Sequence, residues 1–142
     1  EHRIRFQQEL ARKTRGLPTS IDKRLDLFCG KLETLLNLKD EKPALLHGDL
    51  WSGNHFASHD QVPYIFDPAV YFGLREADLA MTEMFGRLPE EFYSAYHEVF
   101  PTQPGYTERK DLYNLYHLLN HYNLFGGSYL EQADQTVRSF VD

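Results

Sequence analysis

Apolar residues recur every three or four positions along most of this chain. The clearest stripe lies in residues 21–36 and consists of Ile21, Leu25, Phe28, Leu32, Leu35 and Leu36. This period is typical of amphipathic helices, and Ser20 is a candidate N-cap for this one. With proline and glycine as boundaries, the pattern predicts helices over residues 1–15, 20–36, 76–85, 90–99, 108–125 and 129–141.

Short apolar segments in residues 44–66 interrupt the helical period. After a polar break at 39–42, Pro43 leads into Ala44–Leu46, which predicts a short buried strand. Residues 55–58 and 62–66 flank the turn residues 59–61 and predict a hairpin. The fold class expected is therefore mainly α, with a small β-hairpin between two helical groups.

Composition places the chain among globular proteins. Its 142 residues are 42% hydrophobic and 14% aromatic, and the net charge of −6 comes without a basic cluster, so nucleic acid is not an expected partner. No apolar segment is long enough for a membrane span. The single cysteine, Cys29, fits a reducing, cytoplasmic location.

The residues with the clearest chemistry are an aspartate, an asparagine five positions later and a second aspartate. Asp49 lies in the segment His47-Gly48-Asp49-Leu50-Trp51-Ser52-Gly53-Asn54, and Asp67 follows beyond the predicted hairpin. Protein kinases use this spacing for phosphoryl transfer: the first acid orients and deprotonates a hydroxyl, while the amide and second acid bind magnesium. We therefore predict Asp49 as the catalytic base, Asn54 and Asp67 as Mg²⁺ ligands, and ATP as cosubstrate.

The predicted elements match the larger, helical lobe of a kinase-type fold. No glycine-rich phosphate loop and no strand-borne lysine with a helical glutamate partner occurs in the chain, although both normally cover ATP. We expect residues 1–142 to be a C-terminal catalytic lobe, cut from a longer protein, whose partner is an N-terminal nucleotide-binding lobe absent from this sequence.

Two features favour a small-molecule substrate over a protein. Gly48 stands where protein kinases usually have the arginine that binds a phosphorylated activation loop. Ten residues separate Asp67 from Asp78, which is too short for the activation segment on which a peptide substrate rests. We infer a kinase that is not switched by loop phosphorylation.

Other residues of the motif allow more than one role. The Trp51 indole could form a flat wall for a sugar or could pack the loop onto the helical core. His47 and Asp78 are expected to support the loop through hydrogen bonds to backbone groups. His117 and His121 have zinc-pair spacing, but no third ligand is evident and we expect no metal there. His121 could instead line the substrate cleft.

These segments resemble the fructosamine kinase (ketosamine-3-kinase) family, which has an aminoglycoside phosphotransferase-like, protein-kinase-like fold. The resemblance is carried by residues 47–54, 67–69, 73–81, 115–121 and 125–126, and the Trp-Ser-Gly and Arg-Glu-Ala-Asp-Leu-Ala-Met sequences are its most specific parts. It implies ATP-dependent phosphorylation of the sugar 3-hydroxyl of a ketosamine, which destabilises the adduct and frees the amine. It also implies that Trp51 flanks the sugar and that His121 approaches it.

Two alternatives stand beside this hypothesis. One is a kinase for another small alcohol, such as an aminoglycoside or choline, because the bare His-Gly-Asp…Asn pattern is shared with those kinases. The other is a lobe that acts as a binding module without catalysis.

Overall fold

A computed structural model describes residues 1–36 and 41–142, and six α-helices account for most of this part. The polar break predicted at 39–42 therefore lies partly outside the described residues. The helices are α1 (His2–Thr14), α2 (Thr19–Leu36), α3 (Glu76–Met84), α4 (Glu90–Val99), α5 (Tyr106–Phe125) and α6 (Tyr129–Val141). The mainly α class predicted from the sequence is confirmed.

Four short strands form two separate antiparallel pairs. The predicted hairpin is present as β2 (His55–Ala57) and β3 (Pro63–Ile65), with His55 opposite Ile65. The predicted strand β1 (Ala44–Leu46) pairs with β4 (Tyr71–Gly73), with Leu45 opposite Phe72. The sequence pattern did not indicate β4, since three residues are too few to show a period.

The structure corrects one prediction, at the start of α2, and shows a strained residue in the hairpin turn. Helix α2 begins at Thr19, so Ser20 lies within its first turn and is not its N-cap. At the hairpin tip Gln61 has a positive φ of 61°, a left-handed conformation that glycine adopts at less cost. The turn predicted at residues 59–61 therefore has local backbone strain at Gln61.

The chain divides into two compact units, and the first contains α1, α2, α6 and α5 from residue 114 onward. Here α2 packs on α1 and α6, and its buried Leu25, Phe28 and Leu32 are the centre of the apolar core. Arg24 Nε donates to Asp134 Oδ1 at 2.8 Å, which ties α2 to α6 by an ion pair. The predicted apolar stripe of α2 is therefore its buried face.

The second unit contains the four strands, α3, α4 and α5 up to residue 113. Its apolar core is built on α3, where Leu79, Ala80 and Met81 are buried. All residues of the predicted catalytic segment, and Asp67, belong to this unit. Among the described residues, no helix combines the length and apolar character that crossing a membrane requires.

Candidate active site

The loop between β1 and β2 contains Asp49 and Asn54, and the two side chains touch. The Asn54 amide nitrogen donates to Asp49 Oδ2 at 3.0 Å and to the Asp49 carbonyl at 2.8 Å. Both partners are acceptors, so only the nitrogen can face them. Asn54 is 5% exposed, whereas Asp49 is partly exposed. The contact holds the carboxylate in one orientation while solvent or substrate can reach it.

His47 and Asp78 hold the start of this loop. Asp78 lies in the first turn of α3, and its two carboxylate oxygens accept the backbone N–H groups of His47 and Gly48 at 2.7 and 2.9 Å. The His47 ring lies 3.0 Å from the Phe66 carbonyl through Nε2, and Nδ1 accepts the Asp49 N–H at 3.3 Å. These two bonds together require the Nε2–H tautomer.

Gly48 is needed because two backbone segments cross at this position. Its φ is 83°, and a Cβ here would lie 2.1 Å from the carbonyl oxygen of Ala69. The Ala69 N–H also donates to the His47 carbonyl at 2.8 Å, which keeps the segment after Asp67 against the loop. The sequence analysis noted only that Gly48 replaces the arginine of protein kinases. The structure adds a steric reason for glycine at this position.

Asp67 follows β3 at the open end of the hairpin. The Phe66 N–H donates to the Asn54 carbonyl at 3.1 Å, so the hairpin ladder brings the residue before Asp67 opposite Asn54. Asp67 is exposed and has a φ of 54°, in the left-handed region. Non-glycine residues in this conformation are uncommon and are concentrated at functional sites.

Asn54 and Asp67 fit a magnesium site by their chemistry. The Asn54 amide nitrogen is engaged with Asp49, so its oxygen is the atom left for a cation. No cluster of three or more His, Cys, Asp or Glu side chains that could hold a metal occurs in residues 1–36 and 41–142. Mg²⁺ commonly binds one or two protein oxygens and completes its shell with water and nucleotide phosphates. Two protein oxygen ligands are enough for that mode of binding.

Trp51 lies over its own loop and against the end of α3. Its indole forms an edge-to-face contact with the Phe85 ring at 6.1 Å between centroids. A Cβ at Gly53 would lie 2.3 Å from two carbon atoms of the indole, so the glycine makes room for the ring. The side chain is 37% exposed, which leaves part of the indole open to a ligand.

His121 belongs to the first unit, on α5, and not to the unit that contains the other six predicted site residues. Its Nδ1 lies 2.7 Å from the His117 carbonyl, and its ring contacts those of Phe125 and Tyr129. Burial, with smaller electrostatic contributions from the neighbouring Arg3 and His121, lowers the pKa of His117 to about 4. His117 is therefore a neutral, buried side chain at physiological pH.

A family model described as fructosamine kinase matches residues 1–142. The chain belongs to the fructosamine kinase family.

Relatives within the family are similar over almost the whole of this chain. It is 49% identical over 139 residues to a probable ketoamine kinase of Synechocystis, covering 97% of this chain and 45% of that protein. A chloroplastic protein-ribulosamine 3-kinase of indica rice is 44% identical over 141 residues, with 99% and 41% covered. The chain spans about half the length of these relatives.

Solved structures of the fructosamine kinase type have the same fold. The crystal structure of a candidate fructosamine-3-kinase from Thermobifida fusca matches with a TM-score of 0.88 at 36% identity, covering 96% of this chain and 47% of that one. A second crystal structure, of a candidate fructosamine-3-kinase from Haemophilus somnus, matches with a TM-score of 0.80 at 28% identity, covering 100% of this chain and 48% of that one.

Two residues of the family-like Arg75-Glu76-Ala77-Asp78 segment support the site and were given no role from the sequence. Arg75 donates to Glu41 Oε1 at 2.9 Å and to the Phe100 carbonyl at 3.1 Å. Glu76, 2% exposed, accepts from Arg109 Nη2 at 2.7 Å and from Tyr113 at 2.8 Å. These bonds fix the start of α3, and with it Asp78. The sequence signal that could have indicated this role is the concentration of charged residues at the start of a helix that continues with apolar residues.

Proposed function

We propose that this chain is the helical C-terminal lobe of an ATP- and Mg²⁺-dependent kinase that phosphorylates the sugar 3-hydroxyl of ketosamines. The observation that carries the proposal is the hydrogen bond at 3.0 Å between Asn54 and the Asp49 carboxylate, in a loop fixed by Asp78. It joins a candidate base to a candidate metal ligand in one rigid loop. Family membership supplies the substrate class.

In this proposal Asp49 handles the proton of the transfer. Its carboxylate accepts the hydrogen bond of the sugar hydroxyl and takes the proton as the hydroxyl oxygen bonds to the γ-phosphorus of ATP and the bond to the β-phosphate oxygen breaks. The products are ADP and the phosphorylated ketosamine. The Asn54 amide keeps the carboxylate aligned before substrate arrives, so less orientation has to be gained during the reaction.

Asn54 and Asp67 are the residues that would hold Mg²⁺. The ion, when bound, neutralises charge on the transferred phosphoryl group. The strained backbone at Asp67, with a φ of 54°, is consistent with a carboxylate placed for this purpose.

Trp51 and His121 are proposed on the sugar side. The open part of the indole offers an apolar plane for the faces of sugar C–H groups and an N–H donor for a hydroxyl. His121 supplies a polar ring on α5. Both assignments derive from the family resemblance and are independent of the role of Asp49.

We also propose that the other half of the family's length provides the nucleotide-binding lobe. The support is that the chain spans 45% of the Synechocystis relative, while residues that would cover ATP are absent from this sequence. The whole protein would act on free or protein-bound glycated amines in the cytoplasm.

A substrate panel tests the proposal. The protein with its nucleotide lobe restored is given ATP and Mg²⁺ with fructosyl-lysine, ribulosyl-lysine, an aminoglycoside or choline. We expect ADP release with the two ketosamines alone, and a phosphorus–proton coupling to the sugar C3 proton in the NMR spectrum of the product. Turnover with the aminoglycoside or choline instead would support a kinase activity but refute the ketosamine as its substrate. Nucleotide binding without turnover of any acceptor would favour the non-catalytic module.

A further inference from the structure

Helix α3 contacts the catalytic loop at both of its ends. Asp78, in the first turn, accepts the N–H groups of His47 and Gly48. Phe85, the residue after the last turn, accepts a hydrogen bond through its carbonyl from Ser52 Oγ at 2.8 Å. These two anchor points are seven residues apart, which is about 10 Å along a helix axis. The helix therefore spans the loop.

The anchor at Ser52 has a clear physical basis. The last carbonyls of a helix have no partner within the helix and take donors from elsewhere. Phe85 ends α3, with a φ of −121° and a ψ of 45°, and Gly86 turns the chain away with a φ of 107°. The Phe85 carbonyl at this helix end accepts the Ser52 hydroxyl.

The same residue of α3 also contacts the tryptophan. The Phe85 ring contacts the Trp51 indole edge to face, at an interplanar angle of 81°. The indole also lies close to Gly53. Trp51 and Ser52 are thus held by Phe85 through two different interactions, one aromatic and one polar. Neither involves Asp49 or Asn54.

We propose that Ser52 and Phe85 are positioning residues that set the orientation of the Trp51 indole, separately from the Asp78 anchor that sets Asp49. The inference rests on the proposed function only in assigning the indole to the sugar side. It divides the work of α3: its N-terminal end supports the group that accepts the proton, and its C-terminal end supports the group that contacts substrate. Loss of the second anchor should therefore weaken substrate binding more than it slows transfer.

Trp51 is the only tryptophan of this chain, so intrinsic fluorescence measures its surroundings directly. We expect Ser52→Ala in the 142-residue chain to shift the emission to longer wavelength and to increase quenching by acrylamide, because the freed indole becomes more exposed. Ser52→Thr, which keeps a hydroxyl, should behave as the parent. Phe85→Leu is a second variant that removes the aromatic contact and should give the same shift as Ser52→Ala.

Ser139→Ala is the matched control, because Ser139 Oγ also donates to a backbone carbonyl, that of Thr136 at 2.7 Å, but in the other unit. It should leave the emission unchanged. If Ser52→Ala and Phe85→Leu both keep the parent's emission and quenching, the positioning role is refuted. This result does not depend on activity, so it is distinct from failure of the proposed function.

Kinetics of the protein with its nucleotide lobe test the division of work. We expect Ser52→Ala to raise KM for the ketosamine about threefold to tenfold, as is typical for loss of one hydrogen bond, with kcat within about twofold of the parent. KM for ATP should not change. A fall in kcat with an unchanged ketosamine KM would overturn the assignment, and restoration of KM by Ser52→Thr would support it.

Discussion

At the scale of single residues, the site depends on side chains that serve two neighbours at once. Asn54 contacts both the carboxylate and the carbonyl of Asp49, and the His47 ring contacts both Phe66 and Asp49. Such pairs fix the loop with few atoms and leave Asp49 itself partly exposed. A substitution at Asn54 would therefore disturb the candidate base as well as the candidate metal ligand.

His117 gives a prediction for stability at acidic pH. Its pKa in the folded protein is about 4, below the ordinary value of 6.5. Between pH 4 and pH 6.5 the residue is therefore protonated in the unfolded chain and neutral in the folded chain. The free energy of unfolding should therefore fall as pH decreases from 6.5 to 4, by up to about 3 kcal/mol from this residue. Above pH 6.5 the residue has no such effect.

Urea unfolding at several pH values measures this contribution. The variant His117→Gln should lose stability less steeply than the parent between pH 6.5 and 4. His59→Gln is the control, because the His59 side chain is fully exposed at the hairpin tip and its replacement should leave the slope unchanged. Equal slopes for the parent and His117→Gln would show that His117 is not held neutral.

At the scale of elements, the helices were predictable and part of the sheet structure was not. The apolar period of α2 and α5 is long enough to be unambiguous, and the hairpin is bracketed by turn residues. Strand β4 is different: its three residues acquire their structure from pairing with β1, and the paired residues Leu45 and Phe72 are 27 positions apart in the chain. The sequence also did not show why Arg75 and Glu76 matter, since their partners lie in distant segments, at Glu41, Phe100 and Arg109.

The sequence predicted which residues form the candidate site better than it predicted the structural reason for each residue. Asp49, Asn54 and Asp67 were named from spacing alone, and the structure places Asp49 against Asn54 with Asp67 at the end of the same hairpin. Their chemical roles stay predictions. Gly48 was interpreted only through the side chain it lacks, because the crossing of two backbone segments cannot be seen in a sequence.

That crossing can be tested with a matched pair of glycine substitutions. Gly48→Ala places a Cβ 2.1 Å from the Ala69 carbonyl oxygen at a φ of 83°, and should lower the free energy of unfolding by about 3 kcal/mol. Gly30→Ala, on the exposed side of α2 with no atom of residues 1–36 and 41–142 within 4 Å of the new Cβ, should raise it by about 0.5–1 kcal/mol. Thermal and urea unfolding measure both. A stable Gly48→Ala protein would contradict the close approach.

At the scale of the whole molecule, the β1–β4 pair has an apolar face that is exposed within the described part of the chain. Leu45 and Phe72 are opposite each other in register, so their side chains point to the same side, and they are 64% and 75% exposed. Ile65 and Val70 are also exposed, and with Leu45 they line a shallow apolar cavity of about 230 Å³. A contiguous apolar surface of this kind is typical of an interface. We expect the proposed nucleotide-binding lobe to cover it in the whole protein.

The 142-residue chain on its own should therefore self-associate. Sedimentation velocity is expected to show a mass that increases with concentration, and Phe72→Lys should reduce this increase by placing a charge on the apolar face. Val99→Lys is the control, because Val99 is 86% exposed at the end of α4 and lies outside that face. A parent chain that stays monomeric at every concentration would contradict the prediction.

The central claim is that Asp49 is the base of a ketosamine kinase, and one measurement tests it most directly. ADP release with ATP, Mg²⁺ and ribulosyl-lysine is compared between the protein with its nucleotide lobe and its Asp49→Asn variant. Asparagine keeps the shape of the side chain but cannot accept the proton, so we expect release to depend on the ketosamine and to fall by about 10²–10⁴-fold in the variant. Ketosamine-dependent release that is the same in both proteins would contradict the assignment of Asp49.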